Sequence, residues 1–73
     1  MKKYLIKKTI KYNGNIRTDY HSRCSVSDNL ERSWKLAFAD YEDCQLALEN
    51  LQYWDAPYCE KGFEFEYEII ESL

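Results

Sequence analysis

Two alternating apolar–polar runs, one at each end of the chain, an Asn-Gly turn after the first, and a helix-period stripe between them predict an α+β fold. The expected architecture is a two-layer sandwich in the order β-β-α-β. A three-stranded antiparallel sheet of spatial order 2-1-3 carries one long or broken helix on one face. The chain has 73 residues, 45% of them hydrophobic and 32% charged, with only two Gly and one Pro. That composition favours a folded chain over a disordered one, and the length suits a single domain over residues 1–73.

Residues 3–12 form the first expected strand. Tyr4, Ile6, Ile10 and Tyr12 point one way with Lys8 interrupting, while Lys3, Lys7, Thr9 and Lys11 point the other way with Leu5. Asn13-Gly14-Asn15 is a hairpin signal, and a second strand follows over 16–23. A two-residue loop would set Ile10 opposite Arg17 and Ile6 opposite His21, mixing the faces. A three-residue loop pairs Tyr12 with Ile16, Ile10 with Thr18, Lys8 with Tyr20 and Ile6 with Ser22, and is preferred because a one-residue slip moves every side chain to the other face.

The last strand, 63–71, has Phe63, Phe65, Tyr67 and Ile69 on one face and Glu64, Glu66, Glu68 and Ile70 on the other. Laid antiparallel on the first strand with paired residue numbers summing to 75, its chemistry matches at nearly every rung. Phe65 meets Ile10 and Ile69 meets Ile6, while Lys11 meets Glu64, Thr9 meets Glu66 and Lys7 meets Glu68. Such opposite-charge and apolar cross-strand pairs contribute roughly 0.2–1 kcal/mol each. In this arrangement the stem of Lys8 packs between Tyr20 and Tyr67 with its ammonium over a ring. The pairing also accounts for the charge distribution: residues 1–35 hold nine Lys/Arg against three Asp/Glu, and residues 36–73 hold Lys61 against ten Asp/Glu.

Residues 28–54 are expected to be helical. Asp28 with Glu31 makes a capping-box-like start. Leu30, Trp34, Ala37, Tyr41, Cys44, Leu48 and Leu51 then recur in steps of four and three, with Phe38 widening the stripe and Glu42, Asp43, Gln45, Glu49 and Gln52 off it. A break near Asp40 would let that residue cap a second helix. The alternative makes Trp34, Leu36 and Phe38 an alternating fourth strand over 33–39, giving β-β-β-α-β. Asp55 to Gly62 form the loop into the last strand, with Pro57 marking the helix stop.

No stretch approaches the roughly 20 apolar residues of a membrane span, and Tyr4-Leu5-Ile6 is too short for a signal-peptide core. The chain therefore reads as cytosolic, without a membrane partner. Three cysteines, Cys24, Cys44 and Cys59, lack any C-x-x-C pair, which argues against a disulfide framework. With His21 they would supply a Cys3His zinc set, but a single H-x-x-C spacing is common, and a buried reduced thiol suits Cys44 better. Neither a metal nor a cofactor is expected. The single His21, beside Arg17, Asp19 and Arg23, comes with no phosphate loop and no nucleophile elbow, so no catalytic residue is assigned.

The candidate contact residues are acidic and aromatic. Glu64, Glu66 and Glu68 place carboxylates every ~6.6–7 Å along a strand, a spacing able to imitate a phosphate backbone unless Lys7 and Lys11 neutralise it. Glu42, Asp43 and Glu49 add helix acids, and Tyr53, Trp54 and Tyr58 cluster around Pro57, with Tyr and Trp the residue types that dominate interface hot spots. Leu5 and Ile70, side by side on the open sheet face, would seed a homodimer. Leu36-Ala37-Phe38-Ala39-Asp40-Tyr41 with Ala47 and Leu51 resembles the third strand and second helix of an RNA-recognition motif. That motif's basic-Gly opening and its N-terminal partner are missing, and the net charge of −3 opposes direct nucleic-acid binding.

The chain also opens Met1-Lys2-Lys3-Tyr4-Leu5-Ile6, is rich in Tyr and Trp, and ends Tyr67-Glu68-Ile69-Ile70-Glu71. In this it resembles the small orphan proteins of bacterial phages and mobile elements, anti-CRISPR proteins among them. The resemblance implies a compact, acidic α+β binder that blocks a nuclease or other nucleic-acid-binding complex in the host cytoplasm, and it transfers no site residue. The expected function is thus a non-enzymatic protein-binding module, an inhibitor acting through acidic and aromatic residues. A homodimeric structural module and a small RNA-binding sheet are the alternatives.

Overall fold

In the computed structural model, which describes residues 2–72, the elements run β1 (Lys3–Tyr12), β2 (Asn15–His21), β3 (Val26–Ser27), α1 (Leu30–Trp34), α2 (Tyr41–Cys59) and β4 (Glu64–Ser72). Residues 1 and 73 of the expected domain lie outside the described ones. The sheet is antiparallel with order β3-β2-β1-β4, so the order 2-1-3 expected for the three long strands holds and a fourth strand extends it.

The β1–β4 register is the one read from side-chain complementarity, with Lys11 opposite Glu64, Ile10 opposite Phe65, Lys7 opposite Glu68 and Ile6 opposite Ile69. The β1–β2 register differs from the expected one. The loop has two residues, Asn13 (φ 53°) and Gly14 (φ 83°), and pairs Tyr12 with Asn15, Ile10 with Arg17, Lys8 with Asp19 and Ile6 with His21. Two successive left-handed residues give the turn whose twist matches the flanking strands. The mixing of faces costs little, because α2 lies over β1 and β4 and leaves β2 uncovered. Arg17, Asp19 and His21 can therefore share the helix side of the sheet with Ile6 and Ile10.

Of the long or broken helix expected over 28–54, the structure has the broken form, with the second helix starting just after Asp40. Asn29, rather than Asp28, caps α1: its side-chain oxygen accepts the Arg32 N–H at 3.1 Å. The chain then leaves the helix because β1 is longer than β2. Beyond the Ile6–His21 pair the backbone of Tyr4 has no partner on that side, and Phe38 supplies one through two hydrogen bonds of 2.9 Å each. Leu36 likewise accepts the Arg23 N–H at 3.0 Å. The four-stranded alternative β-β-β-α-β thus fits in strand count and order, but its extra strand is β3 rather than 33–39, and of that segment only Phe38 makes a β-bridge. Asp40 then takes the extended N-cap position of α2, with Glu42 and Asp43 in the first turn, where carboxylates oppose the helix dipole.

The expected loop over 55–62 is largely helix. Pro57 sits inside α2 and removes a donor from the Tyr53 carbonyl, at a residue exposed enough for water to replace it. The helix ends instead at Gly62 (φ 98°). There the Gly62 N–H donates to Cys59 O and the Phe63 N–H to Tyr58 O, each at 3.2 Å, and the Tyr58 ring meets Phe63 edge-on at 5.9 Å. This is the paired bonding and apolar contact of a Schellman cap.

Ile6, Phe38 and Cys44 form the buried centre, with Tyr4, Leu48, Leu51, Tyr67 and Ile69 packed around it. Leu5 points to the opposite face, yet it too is fully buried, and α1 lies against β1, β2 and β3. The outward Leu5–Ile70 patch expected to seed a homodimer is therefore absent, since Leu5 is fully covered and Ile70 is half-buried. No helix among the described residues is long and apolar enough to cross a membrane. Gly14→Ala should lower stability by about 1 kcal/mol in urea titration through backbone strain alone, because nothing lies within 4 Å of a Cβ at that site. An unchanged midpoint would mean the turn is not held at positive φ.

Candidate functional site

The sequence-predicted contact residues fall into separate groups. On α2, Glu42, Leu46, Glu49 and Tyr53 follow each other at steps of four, three and four, with Asp43, Asn50, Trp54 and Pro57 alongside. This row faces away from Cys44, Leu48, Leu51 and Asp55, which line the sheet side. Tyr53 is 75%, Trp54 71% and Leu46 59% exposed, while Glu42, Asp43 and Glu49 are all exposed. The Tyr53 and Trp54 rings meet edge-to-face at 5.8 Å and line a groove with Ala56, Pro57 and Glu60. One helix thus carries large apolar side chains on both sides, and the outer set has no cover in this fold. Leu46 was missed in the sequence because it lies off the core stripe, although an apolar residue off the stripe is itself the signal of a second face.

Tyr58 does not join this group. Its ring is turned to Phe63, with the Lys61 ammonium 5.6 Å from its centroid, and it remains 47% exposed at the helix end. Glu64, Glu66 and Glu68 lie on the sheet face away from α2. There Lys11 reaches diagonally to Glu66 at 3.0 Å, which raises the Lys11 pKa through that hydrogen bond and the charge behind it. Lys2 lies 3.4 Å from Glu71. Among the described residues no ion pair closes on Glu64 or Glu68, so the acidic row is neutralised in part.

A polar cluster that sequence reasoning did not identify lies beneath the end of α2. The Lys8 ammonium sits 2.7 Å from Asp55 Oδ2, and the Tyr67 hydroxyl donates to the same oxygen at 2.7 Å. Lys8 and Asp55 are each 8% exposed, and the ammonium lies 4.7 Å from the centroid of the Phe65 ring. The expectation that Lys8 packs its stem and rests on a ring holds in kind. The ring is Phe65 rather than Tyr20 or Tyr67, however; Tyr67 is the β4 neighbour as expected, while on β2 Asp19 stands where Tyr20 was expected. Asp55, expected at the start of a loop, extends the α2 stripe by one more step of four beyond Leu51. A lysine within the row Tyr4, Ile6, Ile10, Tyr12 requires such a carboxylate, and the two signals together could have located the pair.

The chemistry of this cluster is one of anchoring. Burial, and then the bond to Asp55, hold the Tyr67 phenol well above its ordinary pKa, so it stays a neutral donor. Arg17 clasps Asp19 through Nε at 3.2 Å and a terminal nitrogen at 2.7 Å. No buried side-chain N or O atom among the described residues lacks a hydrogen-bond partner. Burial pushes the Cys44 thiol up to about 11, so it packs as a small apolar group, while Cys24 and Cys59 are exposed. The structure does not gather His21, Cys24, Cys44 and Cys59, and no group of three His, Cys, Asp or Glu side chains among the described residues could hold a metal ion. Compared with protein-family models, with curated proteins and with solved structures, the chain matches none.

Asp55→Ala should cost about 3–5 kcal/mol, because it strands a buried ammonium. The triple variant Lys8→Met, Asp55→Leu, Tyr67→Phe should recover most of that in urea titration; a triple variant no better than the single would show the anchor to be irreplaceable. His21 supplies a pH dependence. Burial, then the Lys8 charge, lower its pKa below 6.5, with Asp19 and Asp55 pulling weakly the other way. The unfolded chain therefore binds the proton first, so stability falls as pH drops through ~6.5. His21→Gln should flatten the slope between about pH 7 and about pH 5 in chemical denaturation, and an unaltered slope would assign it to the carboxylates.

Proposed function

We propose that this chain is a non-enzymatic binding protein that occupies a partner's surface through the outward face of α2. The carrying observation is that face: Tyr53, Trp54 and Leu46, exposed on a packed helix, flanked by Glu42, Asp43 and Glu49. An exposed aromatic pair on a rigid element gives contact area at little entropic cost, and the carboxylates select a partner with basic residues around an apolar depression. Nuclease and other nucleic-acid-binding complexes present such basic surfaces to phosphate, and the resemblance to anti-CRISPR-type proteins points to the same partner class. In that reading the protein inhibits by covering the surface its partner uses.

The sheet favours a protein partner over RNA. Of the cations on the strands, Arg17 is engaged by Asp19, Lys11 by Glu66 and Lys8 by Asp55, which leaves Lys3 and Lys7 for phosphate, and Lys7 stands opposite Glu68.

Immobilised protein in a bacterial lysate containing nuclease complexes should retain a nucleic-acid-binding complex near stoichiometrically and release it with salt. Tyr53→Ala with Trp54→Ala, checked for folding by circular dichroism, should lower retention at least tenfold. Glu42→Gln, Asp43→Gln and Glu49→Gln together should move release to lower salt. Equal retention by the aromatic variant would remove this face as the contact.

A further inference from the structure

The outer edge of β4 is an unpaired strand edge, separate from the outward face of α2. β4 is the last strand of the sheet on its side, paired with β1 along one edge only. It runs nine residues, Glu64–Ser72, without Pro or Gly, and no backbone hydrogen bond from elsewhere in the described chain reaches its outer edge. Long open edges of this kind recruit further strands unless they are short, kinked or covered. On the opposite side β3 covers only Tyr20 and His21 and leaves β2 open over the shorter run 15–19. β4 presents the longer open edge.

We propose that the β4 edge accepts an extended segment of a partner protein in which Lys or Arg alternates with apolar residues, adding a fifth strand to the sheet. The side chains specify this occupant. On one face, Glu64, Glu66 and Glu68 stand at every second position. On the other, Phe65, Tyr67 and Ile69 are half-buried at the rim of the core. A basic–apolar alternation places its cations beside the carboxylates and its apolar side chains beside the rings. β1 makes this match from the inner side, with Lys7 and Lys11 across from Glu68 and Glu64, and Ile6 and Ile10 across from Ile69 and Phe65. Among the described residues Glu64 and Glu68 form no ion pair, so carboxylate is left for a second basic strand. A second copy of β4 does not meet these terms. Pairing centred on the acidic row sets Glu66 against Glu66 or Glu68, and like charges directly opposite are destabilising. The row therefore selects against self-pairing while inviting a cationic strand.

The test uses the intact protein and a synthetic nine-residue peptide, capped at both ends, with the order Lys-Ile-Lys-Ile-Thr-Ile-Lys-Ile-Lys. The same peptide with Glu in place of Lys is the control. Hydrogen exchange read residue by residue should show alternate amides within 64–72 slowed at least tenfold by the lysine peptide and unaffected by the glutamate peptide. Glu64→Gln, Glu66→Gln and Glu68→Gln together should weaken binding about tenfold or more, while Tyr53→Ala with Trp54→Ala should leave it unchanged. Three results would overturn the proposal: no slowed amide in 64–72 at saturating peptide, protection confined to α2, or protection that rises with protein concentration in the absence of peptide, which would make a second copy the occupant.

Discussion

One carboxylate oxygen holds the two layers of this protein in register. Asp55 Oδ2 receives both the Lys8 ammonium from the central strand and the Tyr67 hydroxyl from its neighbour, at 2.7 Å each. The layer between helix and sheet is otherwise apolar, and apolar packing is permissive about sliding and rotation. A buried charge pair is not: moving α2 by one residue would strand an ammonium in the interior. The pair thus fixes which face of α2 looks inward. By the same constraint it fixes which face looks outward, and so it places Leu46, Tyr53 and Trp54 in solvent.

That constraint also explains where the sequence was legible and where it was not. The β1–β4 register could be read directly, because each rung joins complementary side chains from Lys11–Glu64 to Ile6–Ile69. The β1–β2 register could not, since consistency of faces presumes a helix over all strands, and α2 covers only two. The break near Asp40 could be read from that residue's capping position, but the non-helical stretch before it has its cause in the backbone of Tyr4, whose unpaired groups Phe38 satisfies and of which side-chain patterns carry no record. Pro57 misled for a related reason. Its local preference to end the helix is outweighed by Asp55 on one side and the Gly62 cap on the other.

Of the residues singled out for contact, the structure unites Glu42, Asp43, Glu49, Tyr53 and Trp54 on one face, and it separates them from Glu64, Glu66 and Glu68 across the thickness of the sheet. Tyr58 packs on Phe63 at the helix end, apart from both. Composition alone suggested one acidic surface. The fold makes two, of different character: a convex helical face with aromatic relief, and a flat row of carboxylates beside an open strand edge. A single flat partner cannot cover both.

The sheet joins the earliest and latest parts of the chain, with Lys3 opposite Ser72. The β1–β2 hairpin closes through a two-residue loop, whereas β4 must close the much longer loop from Tyr12 to Glu64, which makes it the entropically costlier pairing. Without β4, the hairpin would carry Lys3, Lys7, Lys8 and Lys11 on a strand stripped of its facing carboxylates. Two such hairpins meeting edge to edge would oppose like charges, so the charge pattern that favours β4 also disfavours a second copy of β1 in its place.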